Sequence, residues 1–160
     1  RDWSVTGVQT CALPISWAQL LAMGVKMFET RSWKTAYRGK LVIHAGKTPP
    51  QIDQLDKAFI HALGASGLKL DNIPKLPLGA AVCVCDLVGV WRAESVAAQF
   101  GLDRRIPPYE EHFGNFAPGR YAWQIANVRI FETPIPARGA QQLWDWTLPL
   151  PEPDPDSVPF

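Results

Sequence analysis

Residues 17–46, WAQLLAMGVKMFETRSWKTAYRGKLVIHAG, are the stretch from which the rest of the chain can be interpreted. The stretch begins with apolar residues at roughly helical spacing, and Gly24 then predicts the end of a helix. The run from Val25 to Trp33 follows with a period-two pattern, which predicts a strand. A short helix should therefore lead directly into a strand.

Three charged side chains, Lys26, Glu29 and Arg31, lie close together in this otherwise apolar segment. Alternation along a strand places Glu29, Arg31 and Trp33 on one face. Lys26 has the opposite parity and joins them only if the chain is still turning after Gly24, which a glycine makes easy. An ordinary surface ion pair contributes little to stability, whereas the same charges beside an indole would hold a ligand in a cleft. The spacing leaves both interpretations open.

The run GVKMFETR, residues 24–31, fits the pattern GxKxxExR, and with it the chain resembles the ASCH (activating signal cointegrator homology) domain family. WAQLLAMG, TRSWKTAYRGKLVIHAG and PGRYAW are also similar to that family, and the resemblance extends from about Ser16 to about Trp146. It implies a PUA-like β-barrel with a cleft beside its first helix. The GxKxxExR residues would line that cleft, and RNA or a nucleotide-like compound would be its ligand.

The leading hypothesis is a nucleic-acid-binding module that takes RNA, a single strand or one exposed base into the cleft. Lys26 would contact a phosphate or a base carbonyl, and Arg31 would add a planar cation that can stack. Glu29 would orient Arg31 or accept a hydrogen bond from a base amino group. Trp33, with Trp17 as a second choice, would be the stacking face.

An enzyme is the main alternative, because some ASCH members look like small amidohydrolases acting on acylated nucleosides and others like ribonucleases. Lys26 would then be the proton shuttle and Glu29 its carboxylate partner. The chain departs from the amidohydrolase pattern, which has a Thr where Glu29 stands, whereas Thr30 comes one place later. A third interpretation is a structural or protein-binding barrel in which the three charges hold the domain together internally.

Residues 1–15, RDWSVTGVQTCALPI, are expected to be a separate, non-native part. Val5 to Ile15 resembles the in-frame translation of a common sequencing-library adapter, so we expect poor integration with the barrel. ASCH domains usually begin with a strand before a Gln-Pro-Trp-Ala-like turn, and Ser16 stands where that Pro would be; the native first strand is therefore expected to be missing. Val5 to Thr10 could still fill the vacant place, because an open sheet edge accepts many sequences.

Residues 16–147 are expected to form one α+β domain, a small, mostly antiparallel β-barrel with flanking helices, because strands outnumber helices and no βαβ rhythm appears. The ASCH resemblance implies that this barrel is PUA-like. Residues 148–160 contain five prolines and three acids, which predicts a disordered tail. Beyond residue 40 the pattern predicts strands at 41–45, 78–91, 121–131 and 141–146, helices opening at Thr48 and at Glu94, and a loop over 101–118 that could overhang a site.

Sixteen basic residues against fifteen acidic ones argue against a broad electrostatic footprint, so any nucleic-acid site must be local. No apolar run approaches a membrane span, and no signal pattern is present, so no membrane association is predicted.

Cys83 and Cys85 are expected to be buried core thiols in a reducing cytoplasm. No metal site or cofactor is predicted. His44 is a minor candidate for the edge of the cleft, and Asp86 faces water, a partner or the cleft.

Overall fold

The computed structural model describes residues 8–13, 15–48, 57–67, 69, 71 and 78–147. These residues contain one six-stranded sheet that curls into a half-barrel, which confirms the predicted small α+β, PUA-like barrel. The sheet order is β2-β5-β4-β3-β1-β6, and only the β1–β3 pair is parallel. The strands are β1 (Gln9–Leu13), β2 (Phe28–Arg31), β3 (Gly39–Ala45), β4 (Ala80–Arg92), β5 (Tyr121–Pro136) and β6 (Leu143–Asp145).

The helix that precedes the charged segment ends as the sequence predicts. Gly24 has a φ of 69°, in the left-handed region that favours glycine. The backbone N–H groups of Val25 and Lys26 both donate to the carbonyl of Leu20, so the chain is still turning at Lys26. Because of this turn, Lys26 can lie beside Glu29 although the two residues have opposite parity in the sequence. The helices are α1 (Ile15–Ala22), α2 (Lys57–Ala65), α3 (Ala93–Ala97) and a 3₁₀ helix (Glu110–Phe113).

The strands that differ most in length from the prediction are β2 and β5. β2 is shorter than residues 25–33, because the backbone N–H groups before Phe28 donate to α1 and to a buried carboxylate instead of to a strand. β5 is longer than predicted and continues to Pro136, which pairs with Ala80 of β4. Gly89 marks a shift in the β4–β5 register, as expected for a glycine inside a long strand.

The prediction that residues 1–15 are poorly integrated is wrong for 8–13. Strand β1 lies inside the sheet between β3 and β6, and Val8, Cys11 and Leu13 are buried. The physical reason is that β3 offers an unpaired edge, and β1 supplies both backbone hydrogen bonds and apolar side chains to it. An adapter origin stays a prediction, since pairing does not depend on where a sequence came from. Residues 1–7, 49–56 and 148–160, on which parts of the adapter, helix and tail predictions fall, lie outside the described residues.

The main core fills the interior of the half-barrel, between α1 and the sheet. It includes Leu21, Leu41, Leu87 and Trp123, all buried.

The three cysteines are buried and form no disulfide, as predicted for Cys83 and Cys85. The part of the chain described here contains no cluster of three or more His, Cys, Asp or Glu residues that could hold a metal ion. Within the same residues, no helix is long and apolar enough to cross a membrane.

Asp86 of β4 is held in a half-buried polar contact. Its carboxylate accepts hydrogen bonds from Lys40 Nζ at 2.7 Å and from Asn127 Nδ2 at 2.8 Å. Burial tends to raise the pKa of Asp86, but these two hydrogen bonds and the charge of Lys40 outweigh burial and hold the pKa below its ordinary value of 3.8. Asp86 is therefore an anchor between β3, β4 and β5.

Replacing Asp86 with Asn is expected to lower the free energy of unfolding at neutral pH by about 1 kcal/mol or less, the range for partly exposed ion pairs. Because the folded-state pKa is lowered, this contribution is present above pH 3.8 and is lost as the pH falls through the folded-state value. Urea unfolding of parent and Asp86→Asn over that pH range measures the difference. A difference that does not change with pH would contradict the assignment.

Candidate functional site

The structure brings Lys26, Glu29 and Arg31 together. Glu29 lies between the two cations, with Lys26 Nζ 3.5 Å from Oε2 and Arg31 Nε 3.2 Å from Oε1. The β2–β5 register places Glu29 opposite Trp123 and Arg31 opposite Tyr121. Trp123 is a core residue, so this face of β2 points towards the interior of the half-barrel. The charged residues are therefore on the concave side of the sheet.

Lys26 is buried, with only 2 % of its surface exposed. Its Nζ donates hydrogen bonds to the backbone carbonyls of Phe28 and Phe113 and makes the ion pair with Glu29. The ring of Trp17 lies below the ammonium group, 5.0 Å from Nζ to the ring centroid. An ammonium group has three donors, and each has an acceptor here. Lys26 is thus enclosed by protein atoms.

Arg31 links the edge strand β2 to β1 across the curled sheet. Its Nη2 donates to the carbonyl of Ala12 at 2.8 Å and contacts Cys11 Sγ at 2.7 Å, and both partners belong to β1. Burial raises the pKa of the Cys11 thiol to about 11, although the charge of Arg31 opposes this. The thiol is therefore neutral at physiological pH. The side chain of Arg31 remains 22 % exposed, so part of it is available to a ligand.

Both predicted aromatic residues lie at this site and are half-buried. Trp33 packs edge-on against Trp123, with ring centroids 4.7 Å apart, and its carbonyl accepts a hydrogen bond from Trp123 Nε1 at 3.4 Å. Trp17 packs against the main core and against a second cluster around Leu20. The indoles are thus held in place by the core on which the charged residues rest.

Glu110 is part of the site although the sequence analysis did not select it. The side chain is fully buried, and its carboxylate accepts hydrogen bonds from the backbone N–H groups of Met27 at 2.9 Å and Phe28 at 2.8 Å. Burial raises the pKa of Glu110, while the charge of Lys26 and these hydrogen bonds oppose the rise. The one available signal was its position in the 101–118 loop, which was expected to overhang a site.

The ASCH domain family model matches residues 15–135 of the chain. The chain belongs to the ASCH domain family. The matched residues contain the whole GVKMFETR segment, the five predicted site residues and Glu110. No curated protein matches the chain.

In this ASCH domain the 110–120 segment covers the face of β2 that carries Thr30. The backbone N–H of Asn115 donates to Thr30 Oγ1 at 2.9 Å, and Arg120 Nη2 donates to the Thr30 carbonyl at 3.4 Å. Gly114 lies so close to Thr30 that a Cβ atom there would be 2.9 Å from Thr30 Cγ2. The signature strand therefore has the core on one face and this segment on the other.

Two polar residues considered in the sequence analysis have partners elsewhere in the ASCH domain. His44 is buried on β3, with Nε2 2.9 Å from the carbonyl of Ala137 and its ring 6.1 Å from that of Trp144. Asp86 pairs with Lys40, as described above. These contacts favour the structural interpretation of both residues.

Proposed function

We propose that this ASCH domain binds RNA, another single-stranded nucleic acid or a nucleotide-like ligand at the cleft formed by Trp17, Lys26, Glu29, Arg31 and Trp33. The observation that carries the proposal is the ion pair between Glu29 and the partly exposed Arg31 on β2, with Trp33 two residues further along the chain. A planar guanidinium and an indole are both groups on which a base stacks. Glu29 holds the guanidinium in one orientation.

Lys26 has a positioning role in this proposal. The sequence analysis assigned it a direct contact with a phosphate or a base carbonyl, but its Nζ is enclosed by Glu29 and two backbone carbonyls. Lys26 therefore orients Glu29, and Glu29 in turn orients Arg31. A ligand would meet Arg31 and the indoles first.

Hydrolysis has less support from the geometry. A proton shuttle must reach the group that it protonates, whereas the three donors of Lys26 are already directed at protein acceptors. The carboxylate of Glu110 likewise accepts from two backbone N–H groups. Both groups behave as parts of the scaffold of the cleft.

Replacing Arg31 with Gln is expected to weaken binding of a single-stranded RNA oligonucleotide about tenfold, which corresponds to about 1.4 kcal/mol. Arg31→Lys, which keeps the charge but not the planar group, should lose less. Arg129→Gln on β5, another half-buried arginine, is the matched control and should bind like the parent. Fluorescence anisotropy gives the affinities, and urea unfolding verifies that each variant is folded.

The parent and a Lys26→Arg variant are assayed for hydrolysis of acylated nucleosides and of RNA. Arginine cannot shuttle protons at ordinary pH, so turnover in the parent that disappears in Lys26→Arg would contradict a purely binding role. Equal RNA affinity of Arg31→Gln and the parent would contradict the assignment of the cleft.

A further inference from the structure

A second groove, of about 310 Å³, lies at the end of the β2–β5–β4 sheet, next to the candidate cleft. Its lining includes three cations, Lys34, Arg38 and Arg92, and two aromatic residues, Trp91 and Tyr121. We call it the cationic groove. None of these residues belongs to the GxKxxExR segment.

The cationic groove is continuous with the candidate cleft through the sheet. Arg31 of β2 pairs with Tyr121 of β5, and Tyr121 pairs with Arg92 of β4. The guanidinium of Arg92 lies over the ring of Tyr121, 5.1 Å from its centroid. A nucleic-acid strand bound at Arg31 would therefore reach the cationic groove by crossing β5 to β4.

The charge of the groove is not neutralised by neighbouring acids. Lys34, Arg38 and Arg92 are all exposed, and among the described residues none of them has an ion-pair partner and no carboxylate lines the groove. Some other cations of the domain are paired, such as Lys40 with Asp86 and Arg105 with Asp103. For a chain with a net charge of only +1, three unpaired cations in one groove are a local anion-binding feature.

Trp91 is exposed and yet held in a defined orientation. More than half of its surface, 53 %, is accessible to solvent. Its Nε1 donates to Gln124 Oε1 at 3.0 Å, and the indole lies against Gly89, where a Cβ atom would be 2.6 Å from Nε1. A stacking surface that is already ordered loses little conformational entropy when a base binds.

Trp91 also lines a larger cavity of about 450 Å³. That cavity is lined by apolar side chains, including Met27, Phe28 and Val96, by the polar Ser95, Gln99 and Gln124, and by the ion pair of Asp103 and Arg105. Apolar walls with a few polar groups suit a base, whereas the cationic groove suits phosphates.

We propose that the cationic groove and Trp91 form a second contact surface for the same single-stranded nucleic acid. The phosphates lie along Lys34, Arg38 and Arg92, and a base stacks on Trp91. This inference rests on the proposed function and extends it beyond the GxKxxExR cleft. The pairing of cations with an exposed, oriented indole favours a nucleic acid over an acidic peptide, which offers no base to stack.

The groove is tested with a fluorescein-labelled oligouridylate titrated at several salt concentrations. In the triple variant Lys34→Gln, Arg38→Gln, Arg92→Gln, the slope of log affinity against log salt should become smaller in magnitude by about 2, since each phosphate contact on a single strand contributes about 0.7. The matched control replaces Lys57, Lys69 and Arg138, three exposed cations that line neither cavity, with Gln. The control should keep the parental slope.

Trp91→Ala should weaken binding about tenfold or more at constant salt, because one base–aromatic stack is lost, and should leave the slope unchanged. Trp91→Phe, which retains an aromatic face, should keep most of the affinity. Oligoglutamate of equal charge should compete poorly with the oligouridylate.

The outcomes separate this inference from the proposed function. If the groove variant and its control have equal slopes while Arg31→Gln weakens binding, the assignment of the cationic groove is wrong and the assignment of the cleft is supported. If the groove variant and Trp91→Ala weaken binding while Arg31→Gln does not, the groove stands and the cleft assignment is wrong. A parent that shows no salt-dependent binding overturns both. Oligoglutamate that binds the parent and Trp91→Ala as tightly as the oligouridylate overturns the nucleic-acid assignment of the groove.

Discussion

Lys26→Met is expected to lower the free energy of unfolding by about 3 to 5 kcal/mol, the cost of breaking a buried ion pair by removing one partner. The substitution leaves the carboxylate of Glu29, whose side chain is 11 % exposed, without its ammonium partner at 3.5 Å, while Arg31 Nε remains 3.2 Å away. It also leaves the carbonyls of Phe28 and Phe113 without the donor that Lys26 provides. The chain length of methionine preserves the packing on Trp17, so the loss reports the polar contacts. Urea unfolding measures it.

The matched control is Lys40→Met. Lys40 also pairs with a carboxylate, at 2.7 Å from Asp86, but its side chain is 35 % exposed. Water can replace the lost partner there, so a loss of about 1 kcal/mol or less is expected. If Lys26→Met and Lys40→Met lower the free energy of unfolding by the same amount, the burial of Lys26 is not what stabilises the GxKxxExR segment.

Glu110→Ala is expected to lower the free energy of unfolding by about 2 to 5 kcal/mol, because each buried N–H group left without an acceptor costs about 1 to 3 kcal/mol. The affected groups are the backbone N–H groups of Met27 and Phe28. The neighbouring Glu111 is exposed, and Glu111→Ala should change the free energy by less than about 0.5 kcal/mol. Equal effects at the two positions would show that the 3₁₀ helix is not anchored to β2 by Glu110.

The contribution of Glu110 to the free energy of unfolding is expected to decrease as the pH rises. Burial raises the pKa of Glu110 in the folded state above its ordinary value of 4.5, although Lys26 opposes the rise. The stabilisation linked to the bound proton is therefore complete below pH 4.5 and is lost as the pH rises through the raised value. Glu110→Gln carries no such proton, so the stability of the parent relative to this variant should fall over that pH range. A relative stability that rises with pH would contradict the raised pKa.

Local pattern was sufficient to predict that Lys26, Glu29 and Arg31 lie together, as the two ion-pair distances show. The apolar spacing before Gly24 predicted the end of α1, and the period-two run after it placed Glu29 and Arg31 on one face, as the structure has them. The spacing in GVKMFETR also brought in Lys26, because a glycine lets the chain keep turning. These features depend on backbone geometry over fewer than ten consecutive residues, which is the range over which periodicity is informative.

In the N-terminal segment, the suspected origin of the sequence did not predict its structure. Its resemblance to a translated adapter predicted poor integration, yet β1 is paired on both sides. A strand edge selects partners by backbone hydrogen bonding and apolar alternation. Gln9–Leu13 satisfies both requirements, and Ala12 and Cys11 then provide the acceptors for Arg31.

The sequence by itself determined the family and the barrel class through the resemblance that GVKMFETR and its flanking segments carry, and it predicted that Lys26, Glu29 and Arg31 lie together. Only the tertiary structure decided that Lys26 is enclosed, that Glu110 supports the signature segment, and that Trp91 borders a cationic groove. Lys26 and Phe113 are 87 positions apart in the chain, and Phe28 and Glu110 are 82 apart. Periodicity reports which face a side chain occupies. Which distant segment then covers that face depends on how the loops pack over the sheet, and that packing decides which charges are buried and which remain available to a ligand.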